Sequence, residues 1–258
     1  MLERKEETWR PPVHHAASQG VQRMLTAVRR FLDLQMGSIW ADASEELPGV
    51  RGVALDVGCG AQPFRTLFGP TTRYVGIDTI QSKAHFGYET RDTLYYDGEV
   101  WPIEDNSVDF VLCTETLEHV PEAGPFLAQA ARCLVPGGRI FLTVPFAARW
   151  HFIPYDYWRF TPSSLERLLT AAGFCNIAVF ARGNEVTVAC YKLMALLLPL
   201  LLPQEKGPFV TLILRFIALL FFPFLVLLAA VGNLSLLGAG GDDCLGYTVI
   251  AERGAYDA

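Results

Sequence analysis

The chain has 258 residues, 51% of them hydrophobic, with 21 Lys and Arg against 27 Asp and Glu and a formal net charge of -6. That length holds one large α/β core with decorations, or one domain with a small appendage. The acidic balance supplies no basic field for nucleic acid and favours small-molecule partners. Six cysteines include no C-x-x-C pair and several fall within expected elements, so they read as small buried apolar residues of a reducing compartment, and no metal site is expected.

Residues 1–14 are charged and contain Pro11-Pro12, which predicts a poorly ordered lead-in. No apolar leader precedes them, so the expected compartment is cytoplasmic. Ser18 is placed to cap a helix running to Gly37, with Val21, Met24, Leu25, Val28, Leu32 and Met36 on one face. A helix packed on the sheet edge is the favoured reading of that face; a membrane-surface helix is the other. Residues 42–49 read as a linker.

From Arg51 onward, short apolar strands alternate with helices, as in a parallel sheet covered on both faces. Strands are predicted near 52–57, 73–78, 92–96, 108–113 and 139–145. The best helix is predicted over 122–134, with Phe126, Leu127, Ala130, Ala131 and Leu134 facing inward and Pro136-Gly137-Gly138 stopping it. The first strand ends in Asp56-Val57-Gly58-Cys59-Gly60, with Pro63 where a helix is expected to begin. Glycines at such a turn admit positive φ, and a helix start offers unpaired N–H groups. A dinucleotide fingerprint would need a small residue where Pro63 stands, which disfavours an NAD-dependent oxidoreductase. Asp78 ends the second strand, where an acid accepts hydrogen bonds from ribose hydroxyls.

Further blocks follow in order: Tyr96-Asp97-Gly98, the run from Trp101 to Leu112, Leu117-Glu118-His119-Val120, and Leu134-Val135-Pro136-Gly137-Gly138-Arg139-Ile140. Together, from about residue 51 to 180, they resemble the class I S-adenosylmethionine (SAM)-dependent methyltransferases, in a type 11-like bacterial branch. The resemblance implies a Rossmann-like α/β fold with a seven-stranded sheet, and SAM as cofactor. It implies that Asp56, Gly58, Cys59 and Gly60 hold the methionine part, Asp78 and Thr79 the ribose, and Asp97 and Gly98 the adenine amino group. Thr114 and Glu115 would line the site near the sulfonium. The family often has a third glycine where this chain has Gln62, so the carboxylate end is expected to be held differently.

Residues 149–162 form an aromatic run too rich in Pro for a helix or a central strand, hence a loop at the same edge of the sheet. It is suited to lid a pocket for a flat or lipophilic acceptor, with Tyr155, Asp156, Trp158 and Arg159 as substrate-binding candidates. The structural alternative has Trp158 and Phe160 anchoring the loop and Arg159 pairing with Asp156. Methyl transfer needs a base only when the acceptor arrives protonated, and His119 and His151 are the candidates. Each is equally readable as a packing residue.

Thr161 or Ser163 starts a helix to Ala172, Gly173 ends it, and residues 174–181 are the sixth strand. Residues 186–202 and 209–231 are almost uninterrupted apolar stretches; the second, about 23 residues at 1.5 Å rise, has the length to cross a hydrocarbon core of about 30 Å. The family's last two strands form an antiparallel pair, so this insertion must leave and return on one side. Lys192 and Arg215 along the arms, and the kinks expected at Pro199 and Pro223, favour a shallow membrane hairpin over two spans. The expected organisation is therefore an N-terminal tail and helix over 1–50, a SAM-binding domain over 51–184 and 243–254, and an apolar helical hairpin over 185–242. The expected function is methyl transfer to a small lipophilic acceptor at the cytoplasmic face of the cell membrane, with membrane contact through 186–237. The alternatives are a soluble small-molecule methyltransferase whose hairpin forms a dimer interface, and a non-catalytic membrane partner that keeps the fold.

Overall fold

A computed structural model describes residues 20–86, 90, 92–97, 100–201 and 208–255. The expected lead-in, the Ser18 cap, Gly98 and most of the turn between the two apolar stretches lie outside the described residues.

The strands are β1 (Gly52–Val57), β2 (Thr72–Thr79), β3 (Thr93–Tyr96), β4 (Val108–Thr114), β5 (Leu134–Pro145), β6 (Phe174–Arg182) and β7 (Gly246–Arg253). They form one sheet in the order β3-β2-β1-β4-β5-β7-β6, parallel except for β7, which is antiparallel to both neighbours. The seven-stranded Rossmann-like expectation holds. Alternation along the strands makes two cores: Leu55, Val57, Val111, Cys113, Ile140, Leu142 and Val144 face one side, and Ala54, Phe110, Leu112 and Phe141 the other. The first side is covered by α4 (Ala123–Cys133) and α5 (Pro162–Ala171) through Leu127, Ala130, Leu165 and Leu169. Each of these leucines, fully buried, contributes roughly 1.5–3 kcal/mol.

The N-terminal segment departs from expectation. One helix to Gly37 followed by a linker was predicted; instead α1 (Gly20–Leu32) stops and α2 (Leu34–Glu46) begins at Asp33, whose carboxylate accepts from the Met36 N–H at 3.1 Å. An N-cap there redirects the chain. Ile39, Ala43 and Leu47 then bury the expected linker against the second face of the sheet. Helix α1 buries none of its residues, and Val21, Met24, Leu25 and Val28 are all more than half exposed. The favoured edge-packed reading of that face is thereby corrected.

Only a single 3-10 turn, Arg65–Leu67, follows the glycine turn where a full helix was expected. Gln62 in a left-handed conformation (φ 56°) and Phe64 drawn into the core turn the chain away before a helix can grow. A short helix, α3 (Ile80–Phe86), follows β2. Helix α4 matches the predicted helix to within one residue at each end, but β5 begins at once at Leu134 rather than near 139, so Pro136-Gly137-Gly138 lie within its bulged start. Thr161 caps α5 through a capping box with Ser164, and Gly173 (φ 92°) ends it.

The apolar insertion is a helical pair, α6 (Glu185–Leu201) and α7 (Pro208–Ser235), packed on each other. Because β6 runs parallel to β5, the pair rises from the carboxyl edge of the sheet. Its base packs Val188, Met194, Leu225 and Ala229 around Leu34, and a Cβ at Gly232 would meet Leu34 Cδ1 at 2.5 Å. Among the described residues, no helix is long and apolar enough to cross a membrane.

Candidate functional site

A parallel sheet leaves its ligand-binding crevice beyond the carboxyl ends of the strands. Asp56, Asp78 and Asp97 arrive there from the ends of the adjacent strands β1, β2 and β3, and Thr114 and Glu115 from β4. The glycine turn after β1 is tied to the end of β2. Gly58 and Cys59 donate their N–H groups to the Ile77 carbonyl at 3.0 and 3.2 Å, and the Gly60 N–H donates to Asp78 Oδ2 at 3.0 Å. The Thr79 N–H holds the other Asp78 oxygen at 2.8 Å, while Thr79 Oγ1 accepts from the Ser82 N–H and starts α3. Gly58 has φ 68°, and a Cβ there would come within 2.5 Å of the Thr116 side chain. Only glycine satisfies both conditions.

Gln62 replaces the family's third glycine yet adopts glycine-like φ, and it is buried. Its amide nitrogen donates to Thr93 Oγ1 at 3.0 Å and its oxygen accepts from Arg65 at 2.9 Å. Cys59 Sγ lies 3.4 Å from the same Thr93 hydroxyl. The turn is thus braced from below by side chains rather than by a following helix.

Asp56 is buried and accepts from the Tyr74 hydroxyl at 2.6 Å. Burial pushes its carboxyl up to about 7; the Tyr74 hydrogen bond opposes this and the charge of Asp78 adds to it. Asp97 is exposed at the end of β3. Glu115 (φ 48°) is engaged by two partners that lie far from it in sequence. Arg182, almost fully buried, donates to Oε1 at 2.9 Å, and Gln35 donates to Oε2 at 3.0 Å. Arg182 and Gln35 were not anticipated. An arginine ending an apolar strand was the available signal, but its partner is set by sheet order.

The turn after β4 and the aromatic loop after β5 are stitched together. The Glu118 carbonyl accepts from the Tyr157 and Trp158 N–H groups at 2.9 and 3.3 Å, and Trp158 Nε1 donates to the Val120 carbonyl at 2.9 Å. Trp158 stacks on the buried Phe160, so both anchor the loop, while the rings of Tyr155 and Trp158 stay partly exposed. Arg159 forks onto both oxygens of Asp156 at 2.6 and 2.9 Å. Burial opposes the charge on Asp156, but hydrogen bonds from His151 and Arg159 outweigh it and hold the carboxyl below the usual range. The pair is a brace within the loop.

His119 and His151 meet edge to face, their ring centroids 4.9 Å apart. His119 Nδ1 lies 2.8 Å from the Tyr155 carbonyl oxygen, and His151 Nδ1 the same distance from that of Arg149. Burial lowers His119 to about 4, partly opposed by the Tyr155 carbonyl, so its imidazole is neutral at pH 7. Beside them the Glu118 carboxyl group is fully buried, its oxygens without a hydrogen-bond partner among the described residues, and burial drives it well above the usual carboxylate range. The hairpin closes the far side: Arg149 donates to the Ala195 carbonyl at 2.5 Å, and Lys192 to that of Ala147.

Comparison with known proteins places this architecture. Residues 28–179 match the family model of a methyltransferase domain. An uncharacterised 37.1 kDa protein in transposon TN4556 of Streptomyces fradiae is 32% identical over 130 residues, 46% of this chain and 36% of that protein. Demethylmenaquinone methyltransferase of Staphylococcus aureus is 27% identical over 138 residues, 49% of this chain and 57% of that protein. The chain thus matches less than two thirds of the length of these relatives. The crystal structure of a SAM-dependent methyltransferase from Archaeoglobus fulgidus shares the fold at TM-score 0.50 and 18% identity, covering 87% of this chain and 94% of that one.

Proposed function

The chain belongs to the SAM-dependent methyltransferase family, and on that premise we propose that it transfers a methyl group from SAM to a small lipophilic acceptor at a membrane surface. The observation that carries the cofactor assignment is the Gly60–Asp78 link at the crevice edge. It presents a buried, doubly hydrogen-bonded carboxylate beside a left-handed glycine turn. These residues fit the cofactor: Asp56, Gly58, Cys59 and Gly60 would hold its methionine part, Asp78 and Thr79 its ribose, and Asp97 its adenine. Bound there, SAM supplies an electrophilic methyl carried on a sulfonium.

The chain's own contribution is positioning and exclusion of water. The exposed rings of Tyr155 and Trp158 offer apolar faces to a flat acceptor, and the Arg159–Asp156 brace holds them in place. Loss of a proton from a hydroxyl acceptor is assigned to the neighbourhood of His119 and His151. Similarity to a demethylmenaquinone methyltransferase supports a lipophilic acceptor of the quinone-precursor kind.

Membrane attachment rests on surface chemistry. Exposed Val21, Met24, Leu25 and Val28 of α1 and exposed Phe216, Leu219, Leu220 and Leu227 of α7 belong to helices that pack on each other, and α1 also carries Arg29 and Arg30 in its last turn. A basic amphipathic helix beside an apolar one suits the interface of an anionic leaflet. In this proposal the enzyme works at the cytoplasmic face of the cell membrane, with its hairpin lying on the bilayer. Should the same surface pair two copies, the enzyme would instead be a soluble dimer.

The test is to incubate protein on lipid vesicles with methyl-labelled SAM and cell extract, then partition the label, with Asp78→Ala as control. Organic-phase label that the control lacks supports the proposal. Aqueous label overturns the lipophilic acceptor, and absence of S-adenosylhomocysteine binding overturns the cofactor site.

A further inference from the structure

Among the described residues, Glu118, His119 and His151 bring one ligand-capable atom each to within 4.8 Å of one another. Two independent features mark this cluster as more than packing. The Glu118 carboxyl group is 0% exposed, and among the described residues neither of its oxygens has a hydrogen-bond partner, although His119 Nε2 stands 3.5 Å from Oε1. A buried carboxyl group so placed carries an unmet polar cost, which protonation or a bound cation relieves. Each imidazole, moreover, has its Nδ1 against a backbone carbonyl oxygen at 2.8 Å, which fixes the Nδ1-protonated tautomer and leaves Nε2 as the lone-pair nitrogen. Asp156 Oδ2 lies 3.4 Å from His151 Nδ1, a carboxylate behind the ring, itself gripped by Arg159. Carbonyl and carboxylate partners of this kind orient metal-binding histidines.

We propose that Glu118, His119 and His151 form a site for one divalent transition-metal ion of the zinc class. Two imidazoles and one carboxylate are the donor set such ions take, with a position left open for an oxygen ligand. Small side-chain rotations close the cluster, since bonds of about 2.0–2.2 Å bring donors nearer than they stand now. Two acids nearby are held by other partners. Glu115 is engaged by Arg182 and Gln35, and Asp156 by Arg159, so neither competes as a ligand. The turn that carries Glu118 and His119 also carries Thr116, which abuts Gly58 of the cofactor turn. The open position therefore belongs to the acceptor side of the crevice and fits an acceptor that offers a hydroxyl or carbonyl oxygen. This role rests on the methyltransferase reading; ion binding itself does not.

The experiment treats the full chain with chelator, removes the chelator, and titrates with Co2+ in the absence of SAM, following visible absorption, with Zn2+ competition by calorimetry. One equivalent is expected, with d–d bands and no thiolate charge-transfer band. Glu118→Gln and His151→Asn are each expected to weaken binding by about a hundredfold or more. Cys175→Ser, at the exposed thiol, is expected to leave it unchanged. Binding short of one equivalent, a thiolate band, or affinity that survives both ligand variants overturns the site. The wild-type spectrum decides the matter even if a variant fails to fold. Because no cofactor is present, these outcomes are separate from those of the methyl-transfer test.

Discussion

Gly60 and Asp78 are joined by a 3.0 Å hydrogen bond from backbone N–H to carboxylate, which ties the turn after β1 to the end of β2. Asp78→Ala removes an acceptor shared by two backbone N–H groups. It is expected to destabilise the free protein by about 1–3 kcal/mol and to weaken S-adenosylhomocysteine binding by about tenfold or more. Urea denaturation and calorimetry read the two effects. A variant that binds normally would remove Asp78 from the site.

Gly58 faces Thr116. Gly58→Ala imposes both a positive φ and a clash, and should cost about 1–3 kcal/mol. Adding Thr116→Ala removes the two closest contacts but leaves the φ strain, so partial recovery is expected. A double-mutant cycle measures the coupling, and full additivity would contradict the contact.

Arg182 is buried and its charge is answered by Glu115, which is partly exposed. Glu115→Ala leaves the cation unpaired and is expected to cost about 3 kcal/mol. The double variant Glu115→Ala with Arg182→Met should be more stable than Glu115→Ala alone, because neither charge then remains. The comparison is made by chemical denaturation.

Asp56 sets a pH dependence. Its carboxyl titrates near 7 in the folded chain, against about 3.9 when unfolded. Between those values the folded state binds the proton more tightly, so stability is highest at the acid end and falls as pH rises through about 4 to 7. Asp56→Asn keeps an acceptor for Tyr74 and abolishes this slope. The variant is therefore expected to gain on the wild type by a few kcal/mol at pH 8 but little at pH 4. Melting temperatures of the ligand-free proteins across that range test it, and a constant difference would contradict the buried charge.

Much of this was legible along the chain. The strands that carry Asp56, Asp78 and Thr114 follow from short, nearly continuous apolar runs closed by polar residues, and the capping of α5 follows from Thr161 ahead of Pro162. The topology constraint on the insertion also survives, because β6 and β7 are antiparallel neighbours. Other parts were misread where a local signal had a rival. Asp33 served as a cap inside what looked like one amphipathic helix, and Gln62 adopted a glycine-like φ that ended the helix expected after Pro63.

By itself the sequence determined the α/β class, the glycine turn and the strand ends that carry Asp56 and Asp78, since these rest on apolar runs and turn residues only a few positions long, whereas Asp97 was picked out by family resemblance. The partnerships that define the site were decided by tertiary structure alone. Glu115 with Arg182, Gln35 with Glu115, and Glu118 and His119 with His151 join segments that no local pattern links. They meet because strand order and register bring distant loops to one edge of the sheet, and a buried charge then takes whichever partner the fold delivers.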